Sequence, residues 1–270
     1  MDNKQKYLFD LQGFVVVEDV LTDEQCDQAI DKIKQSMKPM EKTPNGYDSN
    51  GTWHSAANLW EAGEPFLSLI DHPKVTDVLS EIISPTLRCE SCYSFVRYKG
   101  CPVFEMHGGS RGGSVNFRYD ARNGQIFTGL TVISYNLQDV APEDGGFSAI
   151  PGSHKADFQL SEEDRKDLFA FGGPLVRTIP APRGAAVIFT ETLAHGAGCW
   201  QRGDEPRYGL FYKYNDRAAI YHEQGNRRPS DAALATMTDA QRCYFNTAWQ
   251  AFGPEGRHTN DVPEFGPDAT

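Results

Sequence analysis

Apolar positions change their spacing along this chain, separating a helical first part from a strand-rich remainder. Thr22-Asp23-Glu24-Gln25 is a capping-box signature, in which the Thr and Gln side chains satisfy backbone N–H groups that a first helical turn leaves unpaired. Behind it, Cys26, Ala29, Ile30, Ile33 and Met37 fall at helical spacing and form one apolar stripe. Upstream, a turn at Gly13 leads into Phe14-Val15-Val16-Val17, a β-branched, strand-like run. A second helix is predicted over 73–83, with Val75, Val78, Leu79 and Ile82 on one face. Between the two, residues 38–60 are polar and rich in turn residues (Pro44-Asn45-Gly46, Asn50-Gly51), with Trp53, His54 and Trp60 embedded. A loop of that length with aromatic residues in it is expected to be an ordered cover over a substrate.

From Leu87 onward the spacing becomes that of strands. Short runs at 91–98, 102–107, 126–139, 146–150, 174–179, 185–190 and 207–214 are separated by Gly, Pro or Asp. One helix, opened by Ser161-Glu162-Glu163-Asp164, interrupts them. Many short strands with turn signals predict a sandwich or barrel, so the fold class is mainly β with flanking helices. After residue 215 the chain is polar, with short helices expected near 229–237 and 239–249 and an extended end from Phe252. No internal repeat divides it. The expectation is a single domain over 1–270: a helical part at about 20–85, a β core at about 87–215 and a C-terminal extension, 216–270.

A formal net charge of −11 over 270 residues argues against a nucleic-acid polymer as partner, since that binding is driven by phosphate neutralisation. No stretch approaches the ~20 apolar residues of a membrane span. Residues 1–6 are polar, with no apolar signal segment behind them. These features predict a soluble, cytoplasmic protein without membrane contact, and no obligate protein partner is evident. Of six cysteines, Cys89 and Cys92 form a lone C-x-x-C. A zinc site would need a second such pair, and residues three apart on a strand point to opposite faces. Free, reduced thiols are expected.

Candidate chemistry concentrates in two histidine segments. One reads Phe104-Glu105-Met106-His107-Gly108-Gly109-Ser110 and the other Thr192-Leu193-Ala194-His195-Gly196-Ala197-Gly198, with Arg207 opening the run Tyr208-Gly209-Leu210-Phe211-Tyr212. Three further stretches complete a pattern. Phe9-x-x-x-Gly13-Phe14-Val15-Val16-Val17 is followed by Leu21-Thr22, and Asp144-Gly145-Gly146-Phe147-Ser148-Ala149-Ile150-Pro151-Gly152-Ser153-His154-Lys155 lies at the centre. The segment 184–189 then precedes His195. Together these resemble the phytanoyl-CoA dioxygenase-like branch of the iron- and 2-oxoglutarate-dependent oxygenases, over about residues 8–214. The resemblance implies a double-stranded β-helix, an eight-stranded jelly roll with helices on one sheet. It implies His107 and His195 as metal ligands, and Arg207 as the fork-shaped partner of the remote carboxylate of 2-oxoglutarate. The implied cofactors are Fe(II) and 2-oxoglutarate, with O2 as co-substrate.

One part of that pattern is missing. A two-His, one-carboxylate iron site takes its acid two residues after the first His, and here that position is Gly109. Three readings follow. The position is emptied so that chloride binds the iron, as in the related halogenases, with Gly109 as the halide site. Alternatively, a carboxylate arrives from elsewhere and the enzyme is a hydroxylase; Glu105 is the first candidate, because it shares a strand face with His107, and Asp120, Asp144 and Glu191 are others. In the third reading the jelly roll only binds a ligand. The halogenase reading is preferred at this point: chlorination of an unactivated C–H bond in a small, anionic molecule of secondary metabolism, nucleotide- or amino-acid-like, with 2-oxoglutarate leaving as succinate. For the substrate, Arg111, Arg118 and Phe117 in the Gly-rich stretch after His107, together with Trp53, are the candidates; arginine suits carboxylate or phosphate recognition.

Overall fold

Among the described residues, period-2 runs pair into two main antiparallel sheets and two separate two-stranded hairpins, and the helices cover the larger sheet. The computed structural model describes residues 1–40, 42–43, 46–47, 51–110, 114–158, 160–221 and 228–246. In chain order its elements begin with α1 (Asn3–Gln12), β1 (Phe14–Val17), α2 (Asp23–Ser36), β2 (Lys38–Pro39), β3 (Lys42–Thr43), β4 (Gly46–Tyr47), β5 (Trp53–Ala57) and α3 (Pro73–Ile82). Then come β6 (Leu87–Arg97), β7 (Phe104–His107), β8 (Tyr119–Arg122), β9 (Gln125–Thr128), β10 (Thr131–Asn136), β11 (Phe147–Ala149) and α4 (Glu162–Leu168). The last strands are β12 (Arg177–Thr178), β13 (Ala186–Thr190), β14 (His195–Ala197) and β15 (Arg207–Asp216). Two short helices follow, Asp231–Thr236 and Asp239–Cys243.

The larger sheet runs β1-β13-β10-β15-β6-β5-β2 and the smaller β12-β11-β14-β7. Four strands of the first (β13, β10, β15, β6) facing the four of the second make the eight-stranded jelly roll; β1, β5 and β2 extend its edges. Strand alternation sorts the side chains. On β15, Tyr208, Leu210, Tyr212 and Tyr214 turn outward into a core shared with Phe9 of α1, Cys26, Ala29 and Ile33 of α2, and Val75, Val78, Leu79 and Ile82 of α3. The alternate residues Arg207, Phe211 and Lys213 face the jelly-roll interior. Between the sheets, Val132, Phe147, Val187, Phe189 and Leu193 pack together. Because β10 and β13 are covered on both faces, every residue in them is buried.

The capping box at Thr22 forms as predicted, with Gln25 N–H donating to Thr22 Oγ1 at 3.2 Å and Thr22 N–H to Gln25 Oε1 at 2.9 Å. Helix α1 was not predicted; it uses the same device, with Asp2 and Gln5 as the reciprocal pair. The run 126–139, read as one strand, is split at Gly129, where a Cβ would lie 2.4 Å from the Asn116 carbonyl oxygen. The expected cover over 38–60 is in its described part largely sheet: β2 and β5 extend the larger sheet, and Trp53 and Trp60 are buried. The turn at Pro44-Asn45, the tail from Phe252 and the end of the helix expected to reach 249 lie outside the described residues. Among the described residues no helix is long and apolar enough to cross a membrane.

The cysteines in the described residues are unpaired, as expected, but one reason offered for this was wrong. Cys89 and Cys92 lie in the same core rather than on opposite faces, because β6 pairs Ser91 with Lys213 and Cys89 with Tyr214, so that Glu90 is an extra, bulged residue.

Candidate metal centre

Strands β7 and β14 are antiparallel neighbours, and their register sets His107 directly opposite His195, with ring centroids 4.0 Å apart. The ladder is irregular: His195 and Ala197, two residues apart, face His107 and Phe104, three apart. The surplus residue is a bulge on β7, which reverses the side-chain alternation. Phe104 and His107 therefore both line the interior cavity. Glu105 turns to the outside, exposed, in a surface groove with Glu162 and Arg165. The expectation that Glu105 shares the face of His107 is thus overturned by one inserted residue.

The carboxylate beside the histidines is Glu191, in the turn after β13. Donor atoms of His107, Glu191 and His195 all lie within 4.8 Å of one another. Each imidazole is oriented by a backbone carbonyl two residues earlier. His107 Nδ1 donates to Glu105 O at 3.2 Å and His195 Nδ1 to Leu193 O at 2.7 Å. A carbonyl only accepts, so Nδ1 bears the hydrogen and each Nε2 offers a lone pair. Burial holds both rings neutral: it lowers the pKa of His107, and it lowers that of His195 to about 3, with the neighbouring His107 adding to the effect.

Glu191 Oε2 is 3.9 Å from His195 Nε2, while Oε1 accepts a hydrogen bond from Lys213 Nζ. Burial alone would raise the pKa of this carboxyl; Lys213, through its charge and its hydrogen bond, outweighs it and holds Glu191 ionised. Lys213 in turn titrates above its ordinary range, since Tyr93 and Glu191 overcome the cost of its burial. Two neutral imidazole nitrogens and one anionic oxygen converge, the donor set of a non-haem Fe(II) site.

Gly109 has a different role from the one its position suggested. Its φ is +85°, its N–H donates to Thr192 O at 2.9 Å, and an added Cβ would meet Ala194 Cβ and Phe169 Cζ, each at 2.9 Å. It does not line the cavity. Glycine is required there by the backbone turn and its close packing.

The cavity is about 640 Å³. Its polar lining includes His107, Glu191, His195, Arg207 and Lys213, set among aromatic walls such as Tyr93, Phe95, Phe104 and Phe211. Arg207 is 3% exposed, and its Nη2 has no hydrogen-bond acceptor. Burial and the adjacent Arg97 push its pKa down to about 10. Of the substrate candidates, Trp53 is fully buried behind the wall, edge-on to Phe95 and Phe104. Phe117 is one ring removed, packed at 5.5 Å on Tyr221, which does line the cavity. Arg118 is exposed, and Arg111 lies outside the described residues. Of the other acids named, Asp120 pairs with Arg122 on the surface hairpin β8–β9, and Asp144 caps the Ala141 N–H at 2.8 Å. Lys213 was missed, although it lies on the same strand face as Arg207 at even spacing.

A family model described as Phytanoyl-CoA dioxygenase (PhyH) matches residues 9–205. The chain belongs to the PhyH family. Among curated proteins nothing matches it. Among solved structures it is similar to HygX from Streptomyces hygroscopicus, with nickel, 2-oxoglutarate and hygromycin B bound: 20% identity over 83% of this chain and 90% of that one, TM-score 0.70. The epimerase SnoN, in complex with Fe3+, alpha ketoglutarate and nogalamycin RO, gives 18% identity over 82% and 85%, TM-score 0.59. The carbocyclase SnoK from nogalamycin biosynthesis gives 19% over 88% and 91%, TM-score 0.58. At these identities the likeness concerns the fold, and it agrees with the jelly roll described above.

Proposed function

We propose that this PhyH-family protein is an Fe(II)- and 2-oxoglutarate-dependent oxygenase of the hydroxylase type, with His107, Glu191 and His195 as the metal ligands. The observation that supports it most is the convergence of Glu191 with the two imidazoles. A carboxylate in that place supplies the negative charge that the halogenase reading would have taken from chloride. The donor set fits Fe(II), and the unpaired Arg207 Nη2 in the cavity wall fits a ligand carboxylate. Bound iron together with the keto acid would supply the O2 chemistry that breaks an unactivated C–H bond, the keto acid leaving as succinate and CO2.

The chain's own residues perform the rest. The Leu193 and Glu105 carbonyls fix the imidazole tautomers, and Lys213 holds one oxygen of Glu191 so that the other faces the histidines. Arg207 anchors the keto acid, and the aromatic walls exclude water. With both histidines neutral, and with Fe(II) and the keto-acid dianion in place, Arg207 and Lys213 against Glu191 would still leave one net positive charge in the site. That excess favours a small anionic substrate, and the volume suits one of ordinary metabolite size.

The test is Glu191→Ala. Purified wild type given Fe(II), O2 and 2-oxoglutarate should form succinate, and the variant should lose both turnover and Fe(II) affinity. Unchanged Fe(II) affinity in Glu191→Ala would overturn the ligand assignment and return the two-histidine halogenase reading. Assays of this chain should begin with small molecules bearing a carboxylate or phosphate.

A further inference from the structure

On β15 the cavity-lining row begins with Arg207 and ends with Lys213, six residues and roughly 20 Å of strand apart. Arg207 serves the keto acid; the far end of the row is left for another ligand. There Lys213 faces Ser91 across the β6–β15 ladder, and both line the cavity. Facing residues of a sheet hold their Cβ atoms about 4.5–5.5 Å apart, so one small group can reach both side chains. Ser91 is 2% exposed, and among the described residues its Oγ has no hydrogen-bond partner. Ser94 and Ser134 are also buried and unpaired, but of the three only Ser91 lines the cavity. A buried hydroxyl without a partner is costly, and a ligand that accepts its hydrogen bond removes the cost. Lys213, its side chain 15% exposed, donates to Glu191 Oε1 and has two further N–H groups to offer. Two rings frame this end. Tyr93 stacks on Phe211 with centroids 5.3 Å apart. Tyr221 forms the rim, its ring centroid 5.7 Å from Lys213 Nζ and Phe117 packed edge-on to it at 5.5 Å. The residue that bulges β6 has a use here: buried Glu90 accepts the Tyr221 N–H on Oε1 at 3.2 Å and fixes Tyr221 beside Lys213.

We propose that Lys213 and Ser91 form the subsite for a carboxylate on the substrate, whose apolar body lies against Tyr93 and Tyr221. This rests on the oxygenase reading above and names its substrate class: a small monocarboxylic acid with an aromatic or aliphatic body. One hydroxyl and two N–H groups suit a carboxylate, which has two oxygens and about four acceptor positions. The charges agree. In the loaded site Arg207 answers one carboxylate of the keto acid, and Fe(II) answers the other together with Glu191. Lys213 shares Glu191 with the metal, so its positive charge is the one left over. A single carboxylate matches it, whereas a phosphate dianion exceeds it.

The test uses the full chain loaded with Ni(II) and 2-oxoglutarate, so that Arg207 is occupied, and titrates it by calorimetry with hydrocinnamate and with its uncharged amide. Wild type should bind the acid about tenfold more tightly than the amide or better, because hydrogen bonds to a charged group are the stronger ones. Ser91→Ala should weaken binding of the acid about 10–100-fold and narrow its advantage over the amide. Tyr221→Ala should weaken acid and amide alike, since it removes a ring and no donor to the carboxylate. Without ligand, Ser91→Ala should melt no lower than wild type; a markedly lower melting temperature would show the hydroxyl already engaged and count against the subsite. An undiminished preference for the acid in Ser91→Ala overturns the proposal, and tighter binding of phenylethylphosphonate than of hydrocinnamate overturns the choice of a carboxylate. If wild type takes up neither Ni(II) nor 2-oxoglutarate, the oxygenase reading fails and the subsite with it; if it takes up both but does not tell acid from amide, only the subsite fails.

Discussion

Replacing Lys213 by Met tests whether the Glu191 carboxylate is held as the geometry implies. The two groups are buried partners, with side chains 15% and 7% exposed. Methionine keeps most of the volume and removes the charge. Glu191 is then a buried anion with only distant compensation, and breaking one side of such a pair costs about 3–5 kcal/mol. In a chain of this size that corresponds to roughly 6–20 °C in melting temperature. The pH dependence gives a second, independent signature in metal-free protein. In wild type the Glu191 pKa lies below its ordinary value, so its contribution to stability is present above about pH 4.5 and is lost as pH falls through the folded value. Lys213 lies above its ordinary value, so its contribution is present below about pH 10.5 and lost only as pH rises through the folded value. The pair therefore contributes evenly across the neutral range. In Lys213→Met burial acts on Glu191 with no adjacent cation, its folded pKa rises, and stability should fall as pH increases from about 4.5 towards that raised value. Divalent metal should restore much of the loss, because the cation takes over from the ammonium. Thermal melts from pH 4 to 8, with and without Ni(II), make the measurement. A variant with the wild-type melting temperature and the same pH profile would refute the buried pair.

Other outcomes follow from the same geometry. Glu105→Gln should leave Fe(II) affinity and succinate formation near wild type, because the bulge turns that side chain outward; a severe loss would restore Glu105 as a ligand. Gly109→Asp should destabilise by about 1–3 kcal/mol from its left-handed backbone alone, more from the contacts its Cβ would make, and should not tighten metal binding; a stable variant with higher Fe(II) affinity would contradict the packing at that turn. His195→Ala should abolish Fe(II) binding, checked by metal titration, while its fold survives by circular dichroism. Phe104→Ala, which opens the cavity wall beside His107, should raise the KM for substrate more than it lowers succinate formation in the absence of substrate.

Much of the frame was legible from local signals. Capping residues placed α2 and α4, β-branched runs placed β1 and the central strands, and glycine and proline marked the ends. The two histidines and Arg207 stood out because their motifs are local: each is a few residues around one strand end. Glu191 was named only as one of several acids and ranked below Glu105, since strand alternation favoured Glu105 and nothing periodic marks a carboxylate in a turn. Trp53 drew attention as an aromatic residue in a polar stretch, whereas β5 pairing with β6 makes it part of the wall's backing.

By itself, then, the order of residues determined which elements form and which faces are apolar, because capping, periodicity and turn chemistry act over a few neighbours; that His107, His195 and Arg207 belong to one site was implied by the family resemblance their motifs carry. Only the assembled sheets decided the rest. One extra residue in β7 and one in β6 reversed which side chains face inward, and whether a strand bulges is settled by pairing with a partner far away in the chain. The same distant packing set Lys213 beside Glu191, where the buried cation keeps the carboxylate ionised next to the histidines.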